Sequence, residues 1–143
     1  MRFMILLMAD KDTEAGVMPS EQLLADMGNF NEQLIKAGVM EAGEGLQPSS
    51  KGARVHFSGA NVSVADGPFE RTGGMLAGFW IWKVKSKEEA IEWVKKVPMP
   101  MISGEATIEI RQIVEMEDLG AEFTPELRAQ EEHQRAELAK QKG

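Results

Sequence analysis

At residues 75–84 the chain reads MLAGFWIWKV, an apolar, aromatic-rich run that predicts a buried β-strand. Residues 3–9, FMILLMA, are apolar on both faces, which is typical of a strand covered on both sides. These two stretches predict the middle of a β-sheet, and the rest of the chain has to supply its edges and its cover.

Two helices are predicted beside these strands. The first follows the favourable N-cap Ser20 and ends at Gly38, with apolar residues at helical spacing between them: Leu23, Met27, Phe30 and Leu34. The second follows Ser86, where Glu89 completes a capping-box pattern, and it ends before Pro98. Each has one apolar face to bury.

The remaining extended segments complete an α+β plan. Residues 39–47 predict a second strand, and residues 105–116 predict a last one with alternating apolar and polar positions. Between them a β-hairpin starts near Ala53, turns at residues 59–61 and returns as a short arm. The order of elements is the ferredoxin-like split βαβ plan, with an antiparallel sheet and an added β-hairpin.

A polar helix is predicted at the C-terminal end. Thr124 and Pro125 fit the N-cap and the first helical position, and the helix should run to about Lys140. Its apolar stripe is too sparse for a core, which favours a position on a surface or a partner. We therefore predict a domain at residues 1–120 and a helical extension at residues 121–143.

Composition excludes several classes of function. The 143 residues, 43% of them hydrophobic, suffice for one core without cross-links. The chain has no cysteine, hence no disulfide, thiolate metal site or cysteine nucleophile. A net charge of −7 disfavours nucleic acid as a partner. With neither a signal peptide nor a membrane-spanning run, we expect a cytoplasmic protein that does not bind membranes.

The predicted sheet has one face without cover. Two helices can cover only one of its faces, and both central strands are too apolar for the other face to meet water. A second copy of the same sheet is the simplest cover. The sequence therefore predicts a homodimer with its sheets facing each other.

Several stretches between residues 1 and 120 carry a resemblance to a known family: MRFMILLMA, PSEQLLADMGNFNEQLIKAGVM, GEGLQPSSKGARVHFSG, VADGPFE, AGFWIWKVKSKEEAIEWVKK and IEIRQIVEMEDLG. The chain resembles the YCII-related family, in the group marked by an Asp-Gly-Pro-Phe signature, here residues 66–69. The resemblance implies a dimeric α/β barrel with a pocket near the signature turn. Most members are of unknown function, while distant relatives of the barrel include muconolactone-type isomerases, dehalogenases and small monooxygenases.

The sequence departs from this family pattern in three respects, the third and mildest being Gln112, where many relatives have proline after the arginine. Ser20-Glu21 stands where the better characterised branch tends to carry a histidine, and Val97-Pro98 stands where that branch has Asp-Pro. After the signature, Gly73-Gly74 replaces a typical Lys-Glu. Two charged side chains are thus missing beside the implied pocket.

The signature itself has a structural and a functional interpretation. As a turn, Asp66 caps it, Gly67 supplies a positive φ, Pro68 fixes the next residue and Phe69 anchors the loop in the core. Alternatively, Asp66 points into the pocket as a general acid or base. The two interpretations stay open at this point.

A second group of candidates lies on the predicted hairpin. His56 follows Arg54 by two residues on the same strand face, which places a titratable ring next to a fixed cation. His56 is either a half-exposed surface residue or a proton-transfer group. The catalytic candidates are Asp66 and His56. The substrate-binding candidates are Arg54, Trp80, Phe69 and Glu44.

No metal and no cofactor are predicted. Residues 10–19 form an acidic loop, but Ala15 stands where a calcium-binding EF-hand loop needs glycine. The glycines at residues 73–78 precede a strand rather than a helix, so they do not form a phosphate loop.

Two functions remain open. One is a small-molecule enzyme of the isomerase, lyase or dehalogenase kind, in which Asp66 or His56 transfers a proton and Arg54 holds a carboxylate or enolate. The other is a non-catalytic dimeric module that binds a metabolite or a regulatory protein partner. Both predict a small-molecule ligand or a second protein rather than nucleic acid.

Overall fold

The computed structural model describes residues 1–70, 74–99 and 106–142, and it has two compact units, Met1–Gln112 and Ile113–Gly143. The strands of the first unit are β1 (Arg2–Met8), β2 (Met40–Gly45), β3 (Ala53–Ser58), β4 (Asn61–Asp66), β5 (Leu76–Lys83) and β6 (Ile108–Gln112). Its helices are α1 (Lys11–Glu14), α2 (Glu21–Lys36) and α3 (Lys87–Val94). The second unit contains α4 (Pro125–Lys142).

Four strands form one antiparallel sheet in the order β2-β5-β1-β6. The central position of β1 and β5 confirms the prediction from residues 3–9 and 75–84. β3 and β4 pair only with each other among the described residues, as a separate two-stranded ribbon that we call the arm. The described part of the chain is thus a mixed α/β structure with antiparallel sheets and no closed barrel.

The core lies on one face of the sheet, where α2 and α3 both pack. Alternation along the strands brings apolar side chains to that face, and α2 and α3 contribute the opposing ones. The buried residues include Phe3, Ile5, Phe30, Leu34, Trp80, Trp82 and Ala90. Phe30 is central, because its ring lies 5.7 Å from that of Trp80 and 6.3 Å from those of Trp82 and Trp93.

The other face of the sheet, which we call the open face, is less well covered. Its apolar side chains are only half-buried: Met4, Leu6, Phe79 and Ile81. Residues 3–9 are therefore buried on one face only within the described chain, because both helices pack on the same side. This is the face for which the sequence predicted a second copy.

The predicted helix ends are confirmed by their hydrogen bonds. Ser20 Oγ accepts from Leu23 N at 3.1 Å, and Ser86 Oγ accepts from Glu89 N at 3.1 Å. Gly38 follows α2 with a φ of 71°, a left-handed conformation that glycine adopts without strain. These caps depend on neighbours in sequence, and sequence patterns predict them well for that reason.

Three elements differ from the predictions. The acidic loop contains the one-turn helix α1, since Asp10 and Thr13 form a reciprocal capping box. The arm has two strands of equal length, because its turn contains only Gly59 and Ala60. The last strand, β6, is shorter than residues 105–116, and Glu105 lies outside the described residues.

The second unit is built around α4, which begins where it was predicted to begin. Leu127 N donates to Thr124 Oγ1 at 3.3 Å, and Pro125 is the first helical residue. No residue of α4 is buried within the described structure. The unit begins at Ile113.

Candidate functional site

A cavity of about 710 Å³ lies between the α1 segment, the first turns of α2, the end of β2 and the start of β5. Leu46 N donates to Ala77 O at 2.8 Å, which joins the end of β2 to β5 at the cavity wall. Ser20, the N-cap of α2, and Leu23 and Asp26 in its first turns form the opposite side. The volume lies within the range of small-molecule sites.

The cavity combines an apolar wall with carboxylates. The apolar side chains include Val17, Met18, Leu23, Leu46 and Met99. The acidic side chains are Asp10, Asp12 and Asp26. Among the described lining residues there is no lysine, arginine or histidine. The site therefore combines negatively charged side chains with an apolar surface on which the hydrocarbon part of a ligand can pack.

The three carboxylates differ in what they already bind. Asp10 Oδ1 accepts from Thr13 N at 2.8 Å and so caps α1. Asp26 Oδ1 accepts from Gln22 Nε2 at 2.8 Å. Asp12 is half-buried, and within the described ranges its carboxylate has no hydrogen-bond or ion-pair partner. Asp12 is thus the carboxylate most available to a ligand.

The N-terminus of α2 also borders the cavity through Ser20 and contributes the opposite sign of charge. A helix dipole amounts to roughly half a positive elementary charge at this end. Three carboxylates outweigh that contribution several-fold. The cavity therefore attracts cations rather than anions.

The Asp-Gly-Pro-Phe turn is attached to the wall of this cavity by the side chains of Glu14 and Ser49. Ser49 Oγ donates to Glu14 Oε2 at 2.5 Å, and Ser49 N donates to Glu14 Oε1 at 2.9 Å. The same Ser49 Oγ accepts from Phe69 N at 3.0 Å. Since Glu14 directly follows the lining residue Thr13 in α1, the hydrogen bonds of Glu14 and Ser49 connect the turn to the cavity wall.

Gly67 is required in this turn for a reason that differs from the predicted one. Its φ is not positive, which makes the prediction of a left-handed turn glycine wrong. Instead, a Cβ atom at Gly67 would lie 1.7 Å from the backbone oxygen of Ser49. The peptide between Gly67 and Pro68 is cis, and Gly67 N donates to Gly52 O at 2.9 Å. Close approach of two backbone segments therefore excludes any side chain here.

The two catalytic candidates both lie on the arm and are exposed. The register pairs Asp66 with Ala53 and His56 with Ser63. Asp66 and His56 consequently project from opposite faces of the ribbon. A single chain does not bring them together, and neither of them lines the large cavity.

Two of the substrate-binding candidates do meet. The guanidinium carbon of Arg54 lies 4.0 Å from the centre of the Phe69 ring, in cation–π contact. Phe69 is half-buried under Arg54, and is not a core residue as the turn interpretation predicted. Arg54 shares its ribbon face with His56, as predicted.

The other two, Trp80 and Glu44, border a second cavity of about 200 Å³. Trp80 is buried, and its Nε1 donates to Asn31 Oδ1 at 3.0 Å. Its indole thus belongs to the core and has its polar atom satisfied. Gly73, one of the two glycines at the position where the resemblance implies a typical Lys-Glu, lies outside the described residues.

The model of the YCII-related domain matches residues 1–117. The chain belongs to the YCII-related family. It is also 27% identical over 75 residues to an uncharacterised protein of Rhizobium meliloti (strain 1021), a match that covers 52% of this chain and 60% of that protein. The chain therefore spans less than two thirds of that relative. The YCII-related match includes the sheet, the large cavity and the signature turn, while α4 lies beyond it.

The sequence of this YCII-related chain does not predict that Asp12 and Asp26 line one cavity. The spacing within the acidic loop indicates no calcium site, and no motif in the sequence singles out Asp26. A usable signal did exist, because Ser20, Leu23 and Asp26 recur at three-residue spacing on one face of a helix. The strand ends that complete the cavity gave no such signal.

Residues 1–70, 74–99 and 106–142 contain neither a metal-binding cluster nor a membrane-spanning helix. No group of three or more histidine, aspartate or glutamate side chains in these ranges is placed to hold a metal ion. No helix within them has both the length and the apolar character to cross a bilayer.

Proposed function

We propose that this YCII-related protein binds a small organic cation with an apolar body, such as an amine, in the 710 Å³ cavity. The observation that carries the proposal is the lining, in which carboxylates and apolar side chains occur without a basic residue. An ammonium group beside Asp12 would form a charge-assisted hydrogen bond. The apolar body would lie against Leu23 and Leu46.

Binding is a better match to this cavity than proton transfer. A general base has to reach the proton that it abstracts, and catalytic proton transfer usually needs a second group to orient it. Among the described lining residues, the carboxylates of Asp10 and Asp26 are engaged in local hydrogen bonds. The described lining residues include no histidine that could complete an acid and base pair with them.

Replacing Asp12 with Asn tests this assignment. With hexylamine as the probe, the variant of the full chain should bind at least about tenfold more weakly, since a hydrogen bond to a charged group contributes about 1.5–3 kcal/mol. The dissociation constant is measured from the amide shifts of Gly45 and Ala77 in a nuclear magnetic resonance titration. Both residues line the cavity.

The matched control is Glu88→Gln, which removes one negative charge from an exposed position of α3. It should leave hexylamine binding within about twofold of the unmodified chain, because exposed charges at a distance are screened by salt. An equal loss in both variants would mean that only the overall charge matters. That result would overturn the role of Asp12.

A proton-transfer enzyme of the isomerase, lyase or dehalogenase kind is the second candidate. In this proposal Asp66 or His56 transfers the proton, and Arg54 holds a carboxylate or enolate near Phe69. Its support is the Glu14 to Ser49 connection, which joins the signature turn to the cavity wall.

The enzyme proposal is tested with small molecules that copurify with the full chain and are identified by mass spectrometry. If one of them is turned over, Asp66→Asn should abolish the turnover while the circular dichroism spectrum stays unchanged. Asp66 is exposed, so its removal should cost little stability. Full activity in the variant would exclude Asp66 as the catalytic group.

We also propose that the protein is a homodimer in which a second copy covers the open face. The support is the set of half-buried apolar side chains on that face, which a single chain leaves partly in contact with water. The dimeric α/β barrel implied by the family resemblance is one arrangement that provides this cover.

A further inference from the structure

The arm exposes an apolar stripe that nothing in the described chain covers. Every residue of β3 and β4 is exposed. The register places four apolar side chains on one face of the ribbon, with exposed fractions between 52% and 71%: Val55, Phe57, Val62 and Val64. These side chains are more exposed than the apolar residues of the open face, which are half-buried.

A two-stranded ribbon of this kind is not stable alone in water. Its base is fixed, because Gly67 N donates to Gly52 O and Phe69 N donates to Ser49 Oγ. Its outer part has cross-strand pairs, but the described residues offer no layer on which it packs. The arm therefore needs a surface of complementary shape and charge from another molecule.

The open face of the same chain has the matching pattern. We call two residues that lie opposite each other on neighbouring strands a rung. On the arm, one rung with an acidic residue is followed by two apolar rungs on the same face: Ala53–Asp66, Val55–Val64 and Phe57–Val62. On the open face, a cross-strand pair of basic residues is followed by two apolar pairs between β1 and β5: Arg2–Lys83, Met4–Ile81 and Leu6–Phe79. Arg2 already lies 3.6 Å from Glu41 in an ion pair, so Lys83 is the basic side chain that remains for the arm. Rungs on one face repeat at the same spacing in both, about 6.8 Å for antiparallel strands. Each pair on the arm can thus pack against one pair on the open face, and Asp66 then faces the basic residue Lys83 at one end.

We propose that the arm of each protomer packs its apolar face on the open face of a second copy, with Asp66 beside Lys83 of the partner subunit. This inference rests on the proposed homodimer and names the element that forms it. Reciprocal exchange about a twofold axis covers both apolar surfaces of each chain at once.

Phe57→Asp in the full chain tests the role of the arm. It places a charge in the centre of the stripe, so the dimer dissociation constant from sedimentation equilibrium should rise by about 100-fold or more, as at an interface hot spot. The control Ser63→Asp adds the same charge to the opposite face of the ribbon and should change the constant by less than threefold. Circular dichroism verifies that both variants remain folded.

A charge exchange tests where the arm lies. Asp66→Lys and Lys83→Glu should each weaken the dimer about tenfold, because each places like charges together across the interface. The double variant restores an opposite pair and should return to within about threefold of the unmodified constant. Additive losses in the double variant would contradict contact between these two residues.

The outcomes separate the two proposals. If the unmodified chain is a monomer at all concentrations, the homodimer proposal fails and the arm exchange fails with it. If the unmodified chain dimerises and Phe57→Asp dimerises equally tightly, the homodimer stands and the arm exchange is wrong. A loss caused by Phe57→Asp alone, with the charge exchange restored in the double variant, supports it.

Discussion

Replacing Phe30 with Ala is expected to lower the free energy of unfolding by about 3–5 kcal/mol. Phe30 is 3% exposed, and its ring is surrounded by those of Trp80, Trp82 and Trp93. Truncation removes the transfer free energy of the ring and leaves a cavity. Three bulky indoles on two different elements cannot easily collapse into that space, so the loss should lie in the upper part of the usual range for large-to-small changes.

Urea unfolding followed by tryptophan fluorescence measures this change directly, because the reporting indoles adjoin Phe30. Ile35→Ala is the matched control, since Ile35 lies on the same helix and is 61% exposed. It should cost less than about 1 kcal/mol. Comparable losses in the two variants would contradict the placement of the core between α2 and the sheet.

Replacing Gly67 with Ala is expected to be nearly as damaging, with a loss of about 3 kcal/mol or more. The added Cβ would lie 1.7 Å from Ser49 O, a backbone atom that cannot rotate away as a side chain can. Relief requires that the turn separate from Ser49. That movement also breaks the hydrogen bond from Phe69 N to Ser49 Oγ.

Gly52→Ala is the control for this substitution. Its Cβ would meet the same Ser49 oxygen at 3.6 Å, an ordinary contact, and the φ of Gly52 is −119°, which alanine adopts freely. The urea midpoint should therefore change little. A tolerated Gly67→Ala, with a midpoint close to that of Gly52→Ala, would show that the turn does not approach Ser49 this closely.

The parts of the fold that sequence predicted are those governed by neighbouring residues. The caps at Ser20 and Ser86 join groups three residues apart, and the apolar runs at residues 3–9 and 75–84 identify central strands by composition alone. Such signals are contained within a few residues. They can therefore be recognised in the sequence without knowledge of the tertiary structure.

The candidate site was harder to predict because it depends on long-range approach and on register. The cavity needs the end of β2 to meet the start of β5, and Gly67 is required only because Ser49 lies against it. The arm turns at Gly59-Ala60, while a three-residue turn would pair Asp66 with Arg54 and place it on the His56 face. A one-residue difference in the turn therefore decides whether the candidates meet.

The most direct test of the proposed function is a calorimetric titration of the full chain with two ligands of equal length and opposite charge, hexylamine and hexanoate, at the same low ionic strength. The acidic, apolar cavity predicts binding of the amine and at least about tenfold weaker binding of the carboxylate, a difference of 1.4 kcal/mol or more. Equal binding of the two ligands, or tighter binding of hexanoate, would contradict a cation site in this cavity.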